Sequence, residues 1–362
     1  MAPVPWELEE DILSRLRPRS LVRFRSVCKR WNDLLDEKWF INSHFTRSRP
    51  ELIFVTNSKI YSIEFIGLDG VDPRIEFHEL GSSGIPHQEI KLTCTNINTF
   101  DGLLFLNYFK KTAVWNPWLR QVKWLEYEDN MFDVHGLGYD NTKPEKVYKI
   151  FGGFICLRKN QQVYHQRVAI YECASHAFKF IDTPDEDWPI DNAKRFHVSF
   201  KGNLYWISWN PNTAENYIRS FDFSRDIFKP FSVLPCRKNK AKDGLILSVF
   251  KGDCFSVLKL CYATRTIEIW VTKNKIDDGH QVVWINLMTL QPSYMPNIVS
   301  KCFGLSYFIY DNTTLIMACA EEDNGAPCIY IIKRDMFKKI QIGSEWLQYV
   351  HCVYVPNFIP LP

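Results

Sequence analysis

Residues 201–231, KGNLYWISWNPNTAENYIRSFDFSRDIFKPF, set the pattern for most of this 362-residue chain. Runs of aromatic and aliphatic residues alternate here with turn residues, which is typical of short β-strands. Lys201-Gly202 marks one turn, and Phe221 is followed eight positions later by Lys229 in a spacing that suits a hairpin. The stretch therefore predicts two hairpins, and thus four strands, in one repeat.

The same spacings return on both sides of this stretch. Four aromatic residues precede a lysine by eight positions, and the pairs are Trp115/Lys123, Tyr171/Lys179, Phe221/Lys229 and Tyr330/Lys338. A fifth copy starts at Trp270 and returns at Trp284 after an insertion. A second series of turns comprises Asp101-Gly102, Lys201-Gly202, Lys251-Gly252 and Asp311-Asn312. The chain therefore repeats a four-stranded unit about every 50 residues.

This period is typical of a kelch-like propeller blade. Five blades carry the repeat, and we expect strands at 52–56 and 60–66 to combine with 349–355 into a sixth that closes the ring. The prediction for this part is an all-β propeller of about six blades, with a two-sheet β-sandwich as the alternative.

The first 48 residues have a different period. Leu8, Ile12, Leu13 and Leu16 share one helix face, and Pro18 is expected to end that helix. A second helix is predicted from Ser20 to about Leu35, and a third over 38–45 with Trp39 and Phe40 facing inward. Three short helices cannot hide this many large apolar side chains, so either a partner or the rest of the chain covers some of them.

The helical period disappears near residues 48–50, where the strand pattern begins. We therefore expect an α+β, two-domain chain, with a helical module at 1–48 and a β domain at 49–362. No Gly/Ser-rich linker separates the two parts, so we expect them to pack rigidly.

Composition gives little reason to expect nucleic acid or a membrane as partner. The net charge is only +3, and no apolar run approaches the roughly 20 residues of a membrane helix. Eleven cysteines without zinc-ligand spacing indicate reduced thiols. We expect a protein of the cytoplasm, the nucleus or both, without a cofactor or a metal.

Residues 5–16 (PWELEEDILSRL) and 20–31 (SLVRFRSVCKRW), followed by Phe40 and His44, resemble an F-box. The resemblance implies docking on the Skp-type adaptor of an SCF ubiquitin ligase, and through it on a cullin. Val4 stands where leucine is commonest, and Arg17 replaces the first of two usual prolines. The positions that match the apolar contacts of the family are Pro5, Leu8, Ile12, Leu16, Leu21, Val27, Cys28 and Trp31.

The β domain resembles the F-box-associated interaction domain of a large family of plant F-box proteins. The matching segments are DGLL (101–104), VWNP (114–117), GLGYD (136–140), KGNLYW (201–206), SFDF (220–223) and IEIW (267–270). The resemblance implies that this domain recruits a target protein, but it transfers no target-binding residues. Together the two resemblances imply a non-catalytic substrate receptor that brings a target to the ligase for ubiquitination.

The alternative is a propeller that binds a carbohydrate or another ligand outside a ligase, for which Trp206 and Trp209, expected on one side of a strand, could line a pocket. A propeller glycosidase would need two facing carboxylates, and no motif for catalysis is present. Four further sets could form binding sites, but a role as loop, turn or core explains each of them better. They are the acidic residues Asp182, Asp185, Asp187 and Asp191, the basic residues Arg237, Lys238, Lys240 and Lys242, the histidines His135, His165, His176 and His197, and the glycine pair Gly136 and Gly138.

Overall fold

The structure is a computed structural model that describes residues 4–56, 59–70, 72–80, 85, 94–108, 111–127, 132–157, 164–183, 197–210, 212–236, 244–276, 282–291, 304–320, 326–343 and 349–361. Helices occupy its first part and strands the remainder, with the change between Arg47 and Glu51. The predicted order of a short helical module and a β-rich domain is confirmed.

The module contains four helices where three were predicted: α1 (Trp6–Ser14), α2 (Pro18–Phe24), α3 (Lys29–Leu34) and α4 (Lys38–Arg47). The predicted second helix is interrupted at residues 25–28. Cys28 is extended there, with φ −156° and ψ 159°, and the Ser26 hydroxyl donates to the Arg23 carbonyl oxygen at 2.8 Å. Such a local bond competes with continuation of the helix, as does a β-branched residue such as Val27.

Pro18 begins α2 rather than merely ending α1. It occupies the first turn, where its missing N–H is not needed, while α1 has already ended at Ser14.

The described part of the β domain contains 24 strands. In chain order they are β1 (Glu51–Thr56), β2 (Ile60–Ile66), β3 (Arg74–Glu79), β4 (Asn96–Phe100), β5 (Leu103–Tyr108), β6 (Lys111–Asn116), β7 (Gln121–Glu126), β8 (Phe132–Tyr139), β9 (Tyr148–Leu157), β10 (Tyr164–Glu172), β11 (Ala177–Phe180), β12 (Val198–Phe200), β13 (Asn203–Asn210), β14 (Glu215–Asp222), β15 (Ile227–Val233), β16 (Gly244–Phe250), β17 (Cys254–Cys261), β18 (Thr266–Thr272), β19 (Trp284–Leu290), β20 (Ser306–Ile309), β21 (Leu315–Ala320), β22 (Pro327–Ile332), β23 (Phe337–Gln341) and β24 (Tyr349–Tyr354).

The strands form antiparallel groups of four. Five groups are consecutive in the chain, namely β4–β7, β8–β11, β12–β15, β16–β19 and β20–β23. The remaining group has the order β24-β1-β2-β3. In it β24 pairs with β1, from Glu51 opposite Tyr354 to Thr56 opposite Tyr349. The expected union of the first and last strands is therefore present. A single parallel bridge, Ser199 to Phe100, joins β12 to β4 and merges two groups into a sheet of eight strands, so the blade number stays a prediction.

The hydrophobic cores lie between neighbouring groups. One cluster lies between β16–β19 and β20–β23, and another lies between β20–β23 and the group formed by β24, β1, β2 and β3. Further clusters lie between that group and β4–β7, between β4–β7 and β8–β11, between β8–β11 and β12–β15, and between β12–β15 and β16–β19. Successive groups thus pack face to face, and the last packs against the first. This cyclic order is the packing that a propeller requires.

The hairpins predicted from the aromatic–lysine spacing are present. In three of them the lysine pairs with the residue that precedes the aromatic. The pairs are Lys123 with Val114, Lys179 with Ile170 and Lys229 with Ser220. In the fourth hairpin Lys338 faces Ile331, the residue after the aromatic instead of the one before it, so the register is shifted by two residues. Asp101-Gly102 and Lys201-Gly202 form two-residue turns with positive φ at both positions, as a type I′ hairpin needs.

Candidate functional site

The four helices enclose a small core of their own. Leu13, Leu21, Leu34, Leu35 and Phe40 are buried in it, together with Ile41 and with Phe358 from the end of the chain. These side chains share the helix faces that point toward one another. They hold the module together and are not available to a partner.

A second set of apolar side chains on the module faces solvent. Leu8 is 55% exposed and Ile12 54%, and the two lie one turn apart on α1. Val27, between α2 and α3, is 60% exposed, and Val4 is also exposed. Several large aliphatic groups exposed on so small a module indicate a surface for another protein.

The eight residues predicted to contact the adaptor therefore fall into three groups. Pro5, Leu8, Ile12, Val27 and Cys28 are exposed. Leu16 and Trp31 are half-buried, packed against the module core. Leu21 is fully buried, so its assignment as a contact residue is wrong, because its side chain is enclosed by the other helices.

Trp39 was predicted to face inward, and that prediction is also wrong. Its side chain is half-exposed, whereas Phe40, Ile41 and His44 are buried on α4. The spacing of these three buried residues defines the inward face, and position 39 lies outside it, toward the opposite side of the helix. That spacing is a signal from which the exposure of Trp39 could have been found.

Polar contacts fix α1 and α3 relative to each other. The Trp31 indole N–H donates to Glu9 Oε2 at 3.0 Å, and the Arg30 guanidinium lies 3.4 Å from the centre of the Trp6 ring. Both α3 residues follow Val27 and Cys28 closely in the chain, with Lys29 between them. The contacts therefore hold the first turn of α3, which follows the exposed segment, against α1, on which Leu8 and Ile12 lie.

The far end of α1 is anchored to α4. Asp11 receives hydrogen bonds from Arg15 at 3.0 and 3.1 Å and from Arg47 at 3.2 Å. The Arg15 hydrogen bond is the main reason that the pKa of Asp11 is lowered. Because the carboxylate is exposed, its contribution is chiefly to orientation.

The module also packs against the β domain through His44. Its Nε2 lies 2.9 Å from the Leu16 carbonyl oxygen, and its ring lies 5.3 Å from that of Phe358. Burial lowers the pKa of His44, which favours the neutral imidazole. His44 thus joins α4, the end of α1 and the carboxyl-terminal segment in one contact.

Residues 355–361 lie between the module and the sheets, and Asn357 holds them in place. Its amide nitrogen donates to the carbonyl oxygens of Gly102 and Val355, and its Oδ1 accepts from the Ile359 N–H at 2.8 Å. Asn116 adds a bond to the Ile359 carbonyl oxygen at 2.9 Å. The segment connects the module to the turn after β4 and to the end of β6.

A smaller ionic contact lies beside this junction. Arg17, at the start of α2, donates to Glu64 on β2, and His78 Nε2 lies 3.0 Å from the same carboxylate. The expectation that the two parts pack rigidly is in keeping with these contacts and with the buried residues around Phe358.

The glycine pair in β8 has a packing role. A Cβ on Gly138 would lie 2.1 Å from the Phe223 ring and 2.6 Å from the Gly202 carbonyl oxygen, and one on Gly136 would lie 2.6 Å from Leu204. Only glycine lets β8 approach the β12–β15 group this closely. Close packing therefore accounts for Gly136-Leu137-Gly138 without a nucleotide.

Trp206 and Trp209 do not form the expected pair. Trp206 is buried between β8–β11 and β12–β15, whereas Trp209 is half-exposed. Residues three apart on a strand point to opposite faces, so the expectation that they share a side was wrong. Their arrangement gives no support to a sugar platform built from these two rings.

The remaining predicted sites give no metal centre. Among the residues that the structure describes, no group of three or more His, Cys, Asp or Glu side chains could hold a metal ion. His135 and His197 are buried with ring centres 5.8 Å apart, and Tyr171 pairs with His176. The basic loop, the acidic loop beyond Asp182 and the His165 side chain lie outside the described residues.

None of the helices that the structure describes is both long enough and apolar enough to cross a membrane.

Comparison with known proteins places both parts of the chain. Residues 4–42 match the family model of the F-box domain, and residues 51–361 match that of the F-box associated beta propeller domain. An F-box/LRR-repeat protein of Arabidopsis thaliana is 55% identical over 368 residues, which cover 100% of this chain and 99% of that protein. The Arabidopsis protein SUPPRESSOR OF NIM1 1 is 52% identical over 371 residues, covering 99% of this chain and 98% of its own length.

Proposed function

Because the chain belongs to the plant F-box proteins that carry a carboxyl-terminal F-box associated domain, we propose that it is the substrate-recognition subunit of an SCF (Skp–cullin–F-box) ubiquitin ligase. In this role the helical module binds a Skp-type adaptor, which connects it to a cullin, and the β domain binds a target protein. The protein itself is non-catalytic, and it acts in the cytoplasm, the nucleus or both.

The observation that carries the proposal is the exposed apolar stripe of α1. Leu8 and Ile12 contribute nothing to the module core, since each is more than half exposed. Burying both against an adaptor would release water from their side chains and favour binding by about 1.5–3 kcal/mol for each fully covered residue. Val27 and Cys28 extend the surface, while Leu21 supports it from within.

The β domain, in this proposal, acts as a rigid six-bladed platform. The cyclic order of its hydrophobic clusters supports six blades, and the contacts of Asn357 and Phe358 fix the platform against the module. A rigid bridge holds a target near the ubiquitin-carrying enzyme and raises its effective concentration there. The target itself is a protein of undefined identity.

The direct test is adaptor binding by the full chain with Leu8→Ala and Ile12→Ala combined. Both side chains are exposed, so we expect the free energy of unfolding to change by less than about 1 kcal/mol. Adaptor affinity should fall by about a hundredfold or more, because two central apolar contacts are lost. Calorimetric titration with a purified Skp-type adaptor measures the change.

The matched control is Val233→Ala combined with Ile285→Ala, which truncates two exposed aliphatic side chains on outer strands of the β domain. This variant should bind the adaptor as the unchanged protein does. Equal affinity in all three proteins, or no adaptor binding by the folded unchanged chain, would contradict the proposed function.

A further inference from the structure

The segment that joins α2 to α3 carries an exposed serine among basic side chains. Residues 12–32 contain seven Arg or Lys and no Asp or Glu. Ser26 lies in the turn between the two helices, with Arg23 three positions before it and Lys29 three positions after it. All three residues are exposed. The Ser26 hydroxyl is therefore part of a positively charged surface.

The charges around Ser26 match one class of protein kinase. Basophilic kinases recognise arginine three positions before the acceptor, because their acidic groups bind the guanidinium. Ser20 and Ser26 are the two hydroxyl residues of the chain that have arginine at this spacing, and both also directly follow an arginine. Local charge therefore does not distinguish one serine from the other.

The fold does distinguish them. Ser20 is the third residue of α2 and is half-buried, whereas Ser26 is exposed and lies beyond Phe24, where α2 ends. The Ser26 N–H makes only a long bond of 3.4 Å to the Arg23 carbonyl oxygen. A kinase must draw the serine and its neighbours out of regular structure, and a short turn opens more readily than a helix. Ser26 is thus the more accessible acceptor.

Ser26 also adjoins the surface that we assign to the adaptor. It directly precedes Val27 and Cys28, which are exposed. A phosphate on Ser26 would bring a charge of about −1.5 to −2 to the edge of this apolar surface. An adaptor that covers Val27 would have to remove water from the phosphate, which weakens binding.

Phosphorylation would also change the contacts within the turn. The Ser26 hydroxyl now donates to the Arg23 carbonyl oxygen at 2.8 Å, and a phosphate ester has no hydrogen for that bond. The side chains of Arg23 and Lys29 enter no ion pair or hydrogen bond with the residues that the structure describes. Both could donate to the new phosphate oxygens, so the modified turn would gain its own ionic contacts in the free protein.

We propose that Ser26 is the phosphate acceptor of a basophilic serine/threonine kinase, and that its phosphorylation releases the adaptor. In this step Ser26 Oγ forms a bond to the γ-phosphorus of ATP, and the bond from that phosphorus to the bridging oxygen of ADP breaks. The hydroxyl proton passes to the catalytic aspartate of the kinase. The release of the adaptor rests on the proposed function, whereas the choice of acceptor does not.

The first test maps the acceptor. The full chain is incubated with ATP and a purified kinase that requires arginine three positions before the serine, and mass spectrometry follows phosphate at each site. We expect Ser26 to be modified about tenfold or more faster than Ser20, because Ser20 requires the helix to open. Modification of Ser20 at an equal or higher rate, or no phosphate on Ser26, would overturn the proposal.

The second test measures adaptor affinity after the kinase reaction. We expect the phosphorylated chain to bind a purified Skp-type adaptor about tenfold or more weakly than the untreated chain. After the same treatment, Ser26→Ala should keep its affinity, and Ser20→Ala should lose affinity as the unchanged sequence does. The melting temperature of the phosphorylated chain should not fall, because the phosphate lies on an exposed turn.

The outcomes separate this inference from the proposed function. Equal adaptor affinity of the phosphorylated and untreated chains would contradict release by phosphate and leave the adaptor assignment intact. A large fall in melting temperature would also contradict it, since unfolding would then explain the lost affinity. If the untreated folded chain bound no adaptor, the proposed function and the release would both fail, while the mapping of Ser26 would still decide the acceptor.

Discussion

Two buried histidines connect the stability of this protein to pH. Burial lowers the pKa of His197 to about 3, with a smaller effect of His135, and burial lowers that of His351 to about 4. An unfolded chain holds these imidazoles at a pKa near 6.5. Between pH 6.5 and these values the unfolded state binds protons that the folded state does not, so stability falls as the pH falls.

We therefore expect the free energy of unfolding to be lower at pH 5 than at pH 7 by about 2 kcal/mol for each of the two histidines. Denaturant unfolding at several pH values measures the slope. His197→Phe should make the slope shallower, because one of the buried imidazoles with a lowered pKa is removed. Val233→Ala, which truncates an exposed side chain and removes no titratable group, is the control and should leave the slope unchanged. An unchanged slope in His197→Phe would contradict this account.

Asn357 is the other residue on which the fold depends strongly. It is fully buried and satisfies the Gly102 and Val355 carbonyl oxygens as well as the Ile359 N–H. We expect Asn357→Ala to lower the free energy of unfolding by about 2 kcal/mol or more, because buried backbone groups lose their partners.

Thermal unfolding of the Asn357→Ala variant checks this expectation. Asn42→Ala, on the exposed side of α4, serves as the control and should stay within about 0.5 kcal/mol of the unchanged protein. If the two variants proved equally stable, the carboxyl-terminal segment would not be the connection that its contacts indicate.

At the scale of elements, β8 depends on two glycines to reach its neighbouring strands. Gly138→Ala would place a methyl group against the Phe223 ring and the Gly202 backbone. A backbone atom cannot turn aside as a side chain can, so we expect a loss of about 2–3 kcal/mol in the free energy of unfolding. Gly70→Ala, in an exposed turn where the nearest atom is 3.3 Å away, should cost much less. Urea unfolding measures both free energies. Similar losses for Gly138→Ala and Gly70→Ala would contradict the packing role of Gly138.

Sequence periodicity predicts the strands of this protein better than it predicts the helices. Hairpin turns depend on local backbone conformation, so the Asp101-Gly102 and Lys201-Gly202 turns and the Trp115/Lys123 spacing follow from residue type alone. The split between α2 and α3 escaped prediction because apolar residues continue through it with helical spacing. Extended Cys28 and the Ser26 hydroxyl bond interrupt the helix locally.

The candidate site was predictable in part for a related reason. Leu8 and Ile12 share a stripe that spacing identifies, but spacing alone does not tell whether a partner or the chain itself covers it. Leu21 has the same residue type as Leu8 and is fully buried. The difference arises from tertiary contacts with Phe40 and Phe358, which no local pattern contains.

At the scale of the whole molecule, the chain is a β domain with a helical module fixed to one side. Hydrophobic clusters lie between successive groups of strands in the β domain, and residues 355–361 attach the module to it. This arrangement leaves the α1 stripe free to bind while the β domain keeps its shape. Adaptor binding should therefore change the module and not the strands.

The central claim is that the exposed apolar surface of the helical module binds the adaptor. Hydrogen–deuterium exchange of the full chain with and without a purified Skp-type adaptor tests this claim most directly. The account predicts slower amide exchange in residues 4–12 and 25–31 when the adaptor is present, because the bound surface opens less often, and no change in β1 to β24. Protection confined to the β domain, or no protection of α1 at saturating adaptor, would contradict the assignment of this surface.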